Sequence, residues 1–285
     1  MATVLALGPV GTNGHEAASR IIHSLPSDDS EVEVERIYFC GSHHELFQEV
    51  LSGHCFGVVP IENSINGLVA DTIHGFWLKQ HDKVSPISVF GEVLIPIEHV
   101  LAMRRGRTPN KNTQVLSHPQ AIGQCRENLQ KLGLNDTEST KSTAGAAEII
   151  TKDELYADSA ALVSPFAAEK WGLEVIKRHM EDAPGNTTRF HVIGHKKWPP
   201  CSNCKTALIF WTEDKPRALV NALWAISAEV ANMTSVHSIP LGIAGLFAFY
   251  VEFDEHVGTT NGIEIMNRLK TVTERILCLG SFPKA

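Results

Sequence analysis

Val4-Leu5-Ala6-Leu7-Gly8-Pro9-Val10-Gly11-Thr12-Asn13-Gly14 is the stretch that decides the fold class. Four consecutive apolar residues have the length of a buried strand, a glycine-rich turn follows, and the pattern from His15 to about His23 is helical. A strand that feeds a helix through a glycine turn is a site-building unit of α/β proteins, because the free backbone N–H groups at the helix start favour an anion. The spacing is GxxGxxG, and no acidic residue closes a ribose-binding unit at the proper distance. A nicotinamide cofactor is therefore not expected.

The same alternation runs onward. Phe56 to Ile61 reads as a second strand, ending in the polar turn Glu62-Asn63-Ser64-Ile65-Asn66-Gly67, with a helical run to about Leu78. Val93 to Leu101 reads as a third strand region. Gln114-Val115-Leu116 leads into Ser117-His118-Pro119-Gln120 and a helix from Ala121 to about Leu132. Ser142-Thr143 caps a helix to about Ile150, and Ala160 to Val163 is a short strand before a helix around Pro165 to Trp171. Polar residues thus collect at strand ends, where open α/β sheets bind ligands. After His191-Val192-Ile193-Gly194, the proline-rich segment Lys196 to Asn203 reads as a linker. Beyond it Thr206–Trp211, Pro216–Ala231, Val236–Ile239, Leu246–Phe253, Ile263–Thr273 and Ile276–Leu279 follow as βαββαβ, the ferredoxin-like order.

A chain of 285 residues suits two domains, and the boundary places them at 1–196 and 205–285. With 43% hydrophobic and 20% charged residues the composition is globular. The net charge of -7 and the lack of a basic run argue against nucleic acid as a partner, so an anionic ligand needs local cations. No segment is long enough to span a bilayer. The opening residues read as a strand rather than a targeting signal, and the expected location is cytoplasmic. Six cysteines, at 40, 55, 125, 201, 204 and 278, show no framework spacing, which fits reduced thiols. Cys201-Ser202-Asn203-Cys204 lacks the second pair a zinc site needs, and His43-His44 lacks a third ligand. No metal is expected. Of the fourteen histidines, His15, His99 and His118 stand at element boundaries and read as structural.

For chemistry, Gly185-Asn186-Thr187-Thr188-Arg189-Phe190 sets a hydroxyl beside a permanent cation whose donor fork matches carboxylates. Such a pair suits a small anion that must lose a hydroxyl. Glu62 is the carboxylate to watch as an acid or base.

With these segments in hand the chain resembles the prephenate dehydratases. The matches, in family order, are Gly8-Pro9-Val10-Gly11-Thr12 with His15-Glu16-Ala17-Ala18, Val58 to Ser64 with Gly67, Ser117 to Ala121 with Gln124-Cys125, Ser142-Thr143-Ala144, and Asn186 to Phe190. Leu279-Gly280-Ser281-Phe282-Pro283 is similar to the family's closing motif. The resemblance implies a two-lobed catalytic domain similar to periplasmic binding proteins, followed by a C-terminal ACT domain that binds phenylalanine in relatives. It implies loss of CO2 and water from prephenate without a cofactor. Thr188 is the expected donor to the departing hydroxyl. Arg189 is expected to meet a carboxylate or to brace the cleft by an internal ion pair. Asn63, Ser64, Thr12, Ser117, Gln120 and Thr143 are the further substrate-binding candidates.

Departures stand beside the matches. Asn13-Gly14 replaces the usual Phe-Ser, Ile65-Asn66 replaces Thr-Glu, and His74 stands where aspartate is common. In the C-terminal part Arg217-Ala218-Leu219 replaces Gly-Ala-Leu, and His237-Ser238-Ile239-Pro240 replaces Glu-Ser-Arg-Pro. Glycine lets backbone approach a bound amino acid and arginine does not, so feedback by phenylalanine is expected to be weakened, altered or absent. Arogenate dehydratase, prephenate decarboxylase and a non-catalytic sensor are the alternative readings. A homodimer or homotetramer is expected, since ferredoxin-like units expose a sheet edge or face that pairs.

Overall fold

The computed structural model describes residues 3–22, 36–53, 55–78, 87–227, 231–241 and 247–285. Elements run in chain order as strands β1 (Thr3–Leu7), β2 (Arg36–Cys40), β3 (Cys55–Asn63), β4 (Gly67–Leu68) and β5 (Ser88–Pro96), with helices α1 (Asn13–Ile21), α2 (His43–Leu51) and α3 (Ala70–Leu78) between them. Next come β6 (Val100–Met103), β7 (Val115–Ser117), α4 (Pro119–Gln124), α5 (Arg126–Lys131), β8 (Thr137–Ser139), α6 (Thr143–Lys152), β9 (Ala160–Val163), α7 (Pro165–Lys170), β10 (Glu174–Lys177) and β11 (Thr187–Gly194). The chain closes with β12 (Cys204–Trp211), α8 (Ala218–Ser227), β13 (Met233–Pro240), β14 (Phe247–Phe253), α9 (Thr260–Val272) and β15 (Arg275–Pro283).

Three sheets result. The first has the order β2-β1-β3-β11-β5 with β4 on β3, the second β10-β6-β9-β7-β8, and the third β13-β14-β12-β15. By internal contacts the chain divides into two compact units. One is Met1–Leu46, Val58–Gly67 and Leu94–Phe190, and the other Phe47–Gly57, Leu68–Val93 and His191–Ala285.

The second sheet, wholly in the first unit, explains the unbroken apolar run of β9. Ala161 and Val163, with Val100, Ala102 and Leu116 of neighbouring strands, pack into one core with Ala146, Ala147 and Ile150 of α6. Ala160 and Leu162, with Leu101, Met103 and Val115, pack into another with Ala121 of α4 and Leu129 of α5. Successive side chains point to opposite faces, and both faces are covered, so every position is apolar.

In the second unit β12, β13, β14 and β15 pair antiparallel throughout. Leu208 and Phe210 of β12 and Val251 and Phe253 of β14 pack on Ala222 and Ile226 of α8 and Leu269 of α9. This is the ferredoxin-like arrangement that the element order implied. The closing motif has its own physical reason. Gly280 sits at φ +145°, and a Cβ there would collide with the carbonyl oxygen of Val89, so only glycine fits.

Three expectations change, and some elements are added. The strand expected over Val93–Leu101 is two strands in different sheets, because Pro96 ends β5 and β6 begins only at Val100. The helix expected from Ala121 breaks at Cys125, whose φ of -121° and ψ of 14° are not helical. Strands β2, β8 and β10 and helix α2 were not among the expected elements. Cys201 and Cys204 form a disulfide with Cα atoms 5.4 Å apart, which corrects the reading of six reduced thiols; their spacing alone is compatible with either state. His23, residues 228–230 and Leu246, included in the expected elements, lie outside the described residues. No helix among the described residues is long and apolar enough to cross a membrane.

Candidate active site

Within the first unit lies a cavity of about 400 Å³, lined among others by Thr12, Asn63, Gln120, Thr143, Asn186 and Thr188. Local chain chemistry builds it. Four residues that cap helix starts, Thr12, His118, Ser142 and Ser164, all line this cavity. Their side chains accept from His15 N at 3.3 Å, Gln120 N at 3.3 Å, Gly145 N at 2.9 Å and Ala167 N at 3.1 Å. Each helix start carries a partial positive charge from its unpaired N–H groups, and here α1, α4, α6 and α7 bring theirs to one cavity. Gly11, at φ +90° with Ala167 and Trp171 Nε1 3.2–3.3 Å from where a Cβ would stand, permits the tight approach of the α1 turn to α7.

On β11 strand alternation sorts the motif residues. Thr188 and Phe190 of β11 line the cavity, whereas Arg189 between them does not. On β3, Pro60 and Asn63 line it and Glu62 does not. Arg189 Nη2 instead meets Glu62 Oε2 at 2.8 Å, with the arginine side chain only 12% exposed. Thr188 and Arg189 adjoin in the chain but not in the cavity, as a period of two requires. Glu62 is thereby engaged in bracing the two strands.

Asn63 organises the turn. Its Nδ2 donates to Asn186 Oδ1 at 2.7 Å and Thr188 Oγ1 at 3.0 Å, and its Oδ1 accepts from the backbone N–H of Ile65 and Asn66 at 3.1 and 3.0 Å. With both ends of its amide occupied, Asn63 positions other groups more than it offers itself to a ligand. Thr188, 9% exposed, has its oxygen fixed by Asn63. Among the described residues no acceptor takes its proton, so the hydroxyl is set to donate into the cavity.

The other candidates divide. Thr12 lines the cavity, but its Oγ1 already donates to Leu7 O at 2.9 Å besides capping α1. Gln120 and Thr143 line it, at the starts of α4 and α6. Ser64 and Ser117 do not. Ser64 Oγ accepts from Thr187 N at 3.0 Å, and Ser117 Oγ, fully buried, donates to Leu162 O at 2.5 Å. Lining residues absent from the sequence-based set include Asn13, Asn66, Lys141 and Asn186. Asn186 stood inside the quoted motif, and the polar strand-end position was its signal; for Lys141 the signal was its place directly before the Ser142-Thr143-Ala144 motif.

His99 also lines the cavity, with Nε2 3.2 Å from Gln124 Oε1. Burial, only partly countered by Gln124 and Glu181, holds its imidazole below the ordinary 6.5. Burial and then Lys170 do the same to His15. Both are neutral at pH 7 and carry no charge for an anion. For stability the sign follows from the unfolded chain, which takes up these protons first as pH falls. The contribution is full above about pH 6.5 and is lost below it. Urea midpoints should therefore fall between pH 7.5 and 5.5, and less so in His99→Gln. Cys125, buried, has its thiol pushed up to about 12 and is inert.

In the second unit Glu92, His191 and Glu252 bring three possible metal-ligand atoms within 4.8 Å of one another. Lys205 Nζ already stands 2.7 Å from Glu92 and 3.1 Å from Glu252, so the two carboxylates share an ammonium where an ion would go. A smaller cavity of about 140 Å³ in this unit is lined by Thr212, Glu213, Asp214, Lys215, Ala218, Leu219, Phe247 and Phe249. His237, Ser238 and Pro240 on β13 do not line it. Arg217 has φ +70°, the left-handed conformation that favours glycine.

The family model described as prephenate dehydratase matches residues 4–198. The prephenate dehydratase of Methanocaldococcus jannaschii is 34% identical over 282 residues, covering 96% of each chain. Arogenate dehydratase/prephenate dehydratase 2 of Arabidopsis thaliana is 32% identical over 240 residues, covering 79% of this chain and 60% of that one. Among solved structures, GqqA, described as a novel type of quorum quenching acylase, superposes with a TM-score of 0.84 at 26% identity over 100% of this chain and 98% of its own. Prephenate dehydratase from Arthrobacter aurescens in complex with L-Phe superposes with a TM-score of 0.83 at 24% identity, covering 100% and 90%. A family match over more than half the chain, joined to a 34% identical relative of nearly equal length, makes this chain a member of the prephenate dehydratase family.

Proposed function

We propose that this protein converts prephenate to phenylpyruvate, CO2 and water. The observation that carries the reading is a single hydroxyl, Thr188, oriented by Asn63 and turned into a cavity where helix N-termini gather. Prephenate is a dianion, and N–H groups at helix starts are suited to its carboxylates. Breaking the C–COO⁻ bond releases CO2, and its electron pair enters the ring as the C–O bond breaks, leaving an aromatic ring. A threonine alcohol is too weak an acid to release a free proton at neutral pH, so Thr188 keeps its proton and shares it in a hydrogen bond as the C–O bond stretches, and the departing hydroxide takes the proton that makes it water from solvent. Arg189 supports this from the far face of β11 by holding Glu62.

Incubation of the protein with prephenate, followed by detection of phenylpyruvate, tests the reading. A dihydro product would make it a decarboxylase, and no product at all would leave only a binding role. Arogenate supplied in parallel gives phenylalanine if the amino acid is also accepted, as the names of the plant relatives make pertinent. The catalytic part spans 1–196 in this reading, and 205–285 forms an ACT domain. The protein works as a cytoplasmic homodimer or homotetramer.

In the same reading the ACT domain responds poorly to phenylalanine. Arg217, exposed and in the left-handed region, stands where the motif of relatives has glycine. A left-handed non-glycine residue costs ~1–2 kcal/mol, part of which the added freedom of glycine in the unfolded chain offsets. Arg217→Gly should raise stability by about 0.5–1 kcal/mol and should strengthen inhibition of turnover by phenylalanine. Strong inhibition of the unaltered protein would contradict this.

A further inference from the structure

We propose that Lys141 is the cation of this site: it pairs with a carboxylate of the substrate and makes the enzyme prefer the keto acid to the amino acid. This rests on the dehydratase reading above. The motif cation, Arg189, is turned away from the cavity and held by Glu62 at 2.8 Å. His99 is kept neutral by burial. Among the described residues that line the cavity, Lys141 is the one lysine or arginine.

Its placement is built, even though its side chain is exposed. Lys141 directly precedes Ser142, which caps α6, and Ser142 and Thr143 line the same cavity. The backbone on either side is tied down. Thr140 N–H donates to Ser117 O at 2.8 Å, and Thr140 Oγ1 donates to Ser142 O at 2.8 Å. Ser117 is in turn anchored to Leu162 O on β9. The buried serine therefore contributes by holding the loop that carries the lysine. An ammonium next to the start of a ten-residue helix joins a full charge to a partial one of the same sign. Both attract a carboxylate and repel an ammonium.

Prephenate carries two negative charges and no positive one. Arogenate has the same two carboxylates and an ammonium in place of the ketone, so its net charge is -1. A protein whose own net charge is -7 gives a dianion no general attraction, and the local cation has to supply it. Glu98, also on the cavity wall, favours the opposite choice, and Lys141 is the lysine that offsets it.

The test measures kcat and KM for prephenate and arogenate with the unaltered protein, Lys141→Met and Lys141→Arg, at low and moderate salt. Charge-assisted bonds of the usual strength predict a rise in KM for prephenate of about ten- to a hundredfold in Lys141→Met, with kcat changed less than about threefold. The ratio of kcat/KM for prephenate over arogenate should fall about tenfold or more, and the rise of KM with salt should flatten. Lys141→Arg, which keeps the charge, should keep most of the affinity, and a loss as large as that in Lys141→Met would count against the charge as the cause. Unchanged KM and an unchanged ratio in Lys141→Met, with the unaltered protein active, would overturn the assignment of Lys141 alone. An unaltered protein that yields neither phenylpyruvate nor phenylalanine would overturn the dehydratase reading and this one with it.

Discussion

Thr188→Ala lowers turnover of prephenate by about a hundred- to a thousandfold while KM changes little. This is the usual scale for losing one well-aimed donor to a charge that develops only in the transition state. The geometry makes the effect specific. Asn63 Nδ2 donates to the threonine oxygen at 3.0 Å, which occupies a lone pair of that oxygen and leaves its proton for a ligand in the cavity. Thr188→Ser, which retains the alcohol but loses the methyl group that restricts it, should recover much of the rate. Asn63→Ala should fall between the two, because it frees the hydroxyl and also loosens the turn that Asn63 holds through Ile65 and Asn66. Single-turnover rates measured at saturating prephenate separate these effects from binding. Near-normal turnover in Thr188→Ala would remove the chemical basis of the proposed function.

Lys205→Met costs about 3–5 kcal/mol of stability, the penalty for leaving a buried charge without its partner. Lys205 stands between Glu92 and Glu252, whose side chains are 5% and 0% exposed. Tyr250 also donates to Glu252, and His191 Nε2 lies 3.4 Å from it. Methionine fills the space of the lysine stem but brings no charge, and two carboxylates are then left close together in a nearly dry place. Against the 5–15 kcal/mol that stabilises most domains, such a loss is large. Urea unfolding followed by circular dichroism should show it as a lower midpoint with a similar slope. Lys205→Met combined with Glu92→Gln should recover part of the loss, because one of the stranded charges is gone. A loss below about 1 kcal/mol in the single variant would mean that water reaches the cluster. As Lys205 does not line the cavity, turnover per folded molecule should change little.

Short-range chemistry was legible in the chain wherever one residue type leaves few choices. Glycines at 8, 11 and 14 after an apolar run announced a strand, a turn and a helix. Ser142 announced the start of α6, because a serine oxygen satisfies an otherwise open N–H. The βαββαβ rhythm of the C-terminal part and the order of the family motifs followed from the same local signals. What the chain could not give by itself was direction. Thr188 and Arg189 are neighbours in sequence, yet strand pleating sends one into the cavity and the other to Glu62.

Likewise Ser117 and Gln120 look equivalent as polar residues of one motif, but the serine closes on a strand carbonyl while the glutamine lines the cavity. Lys141 stands just before the Ser142-Thr143-Ala144 motif and outside it, and its position depends on a loop tied through Thr140 to Ser117 of β7. Sequence determined which segments become strands and helices and which family they compose, because hydrophobic period and capping act within a few residues. Tertiary structure alone decided which hydroxyl, amide and cation share one cavity, because that choice is made by pairing and pleat between strands far apart in the chain.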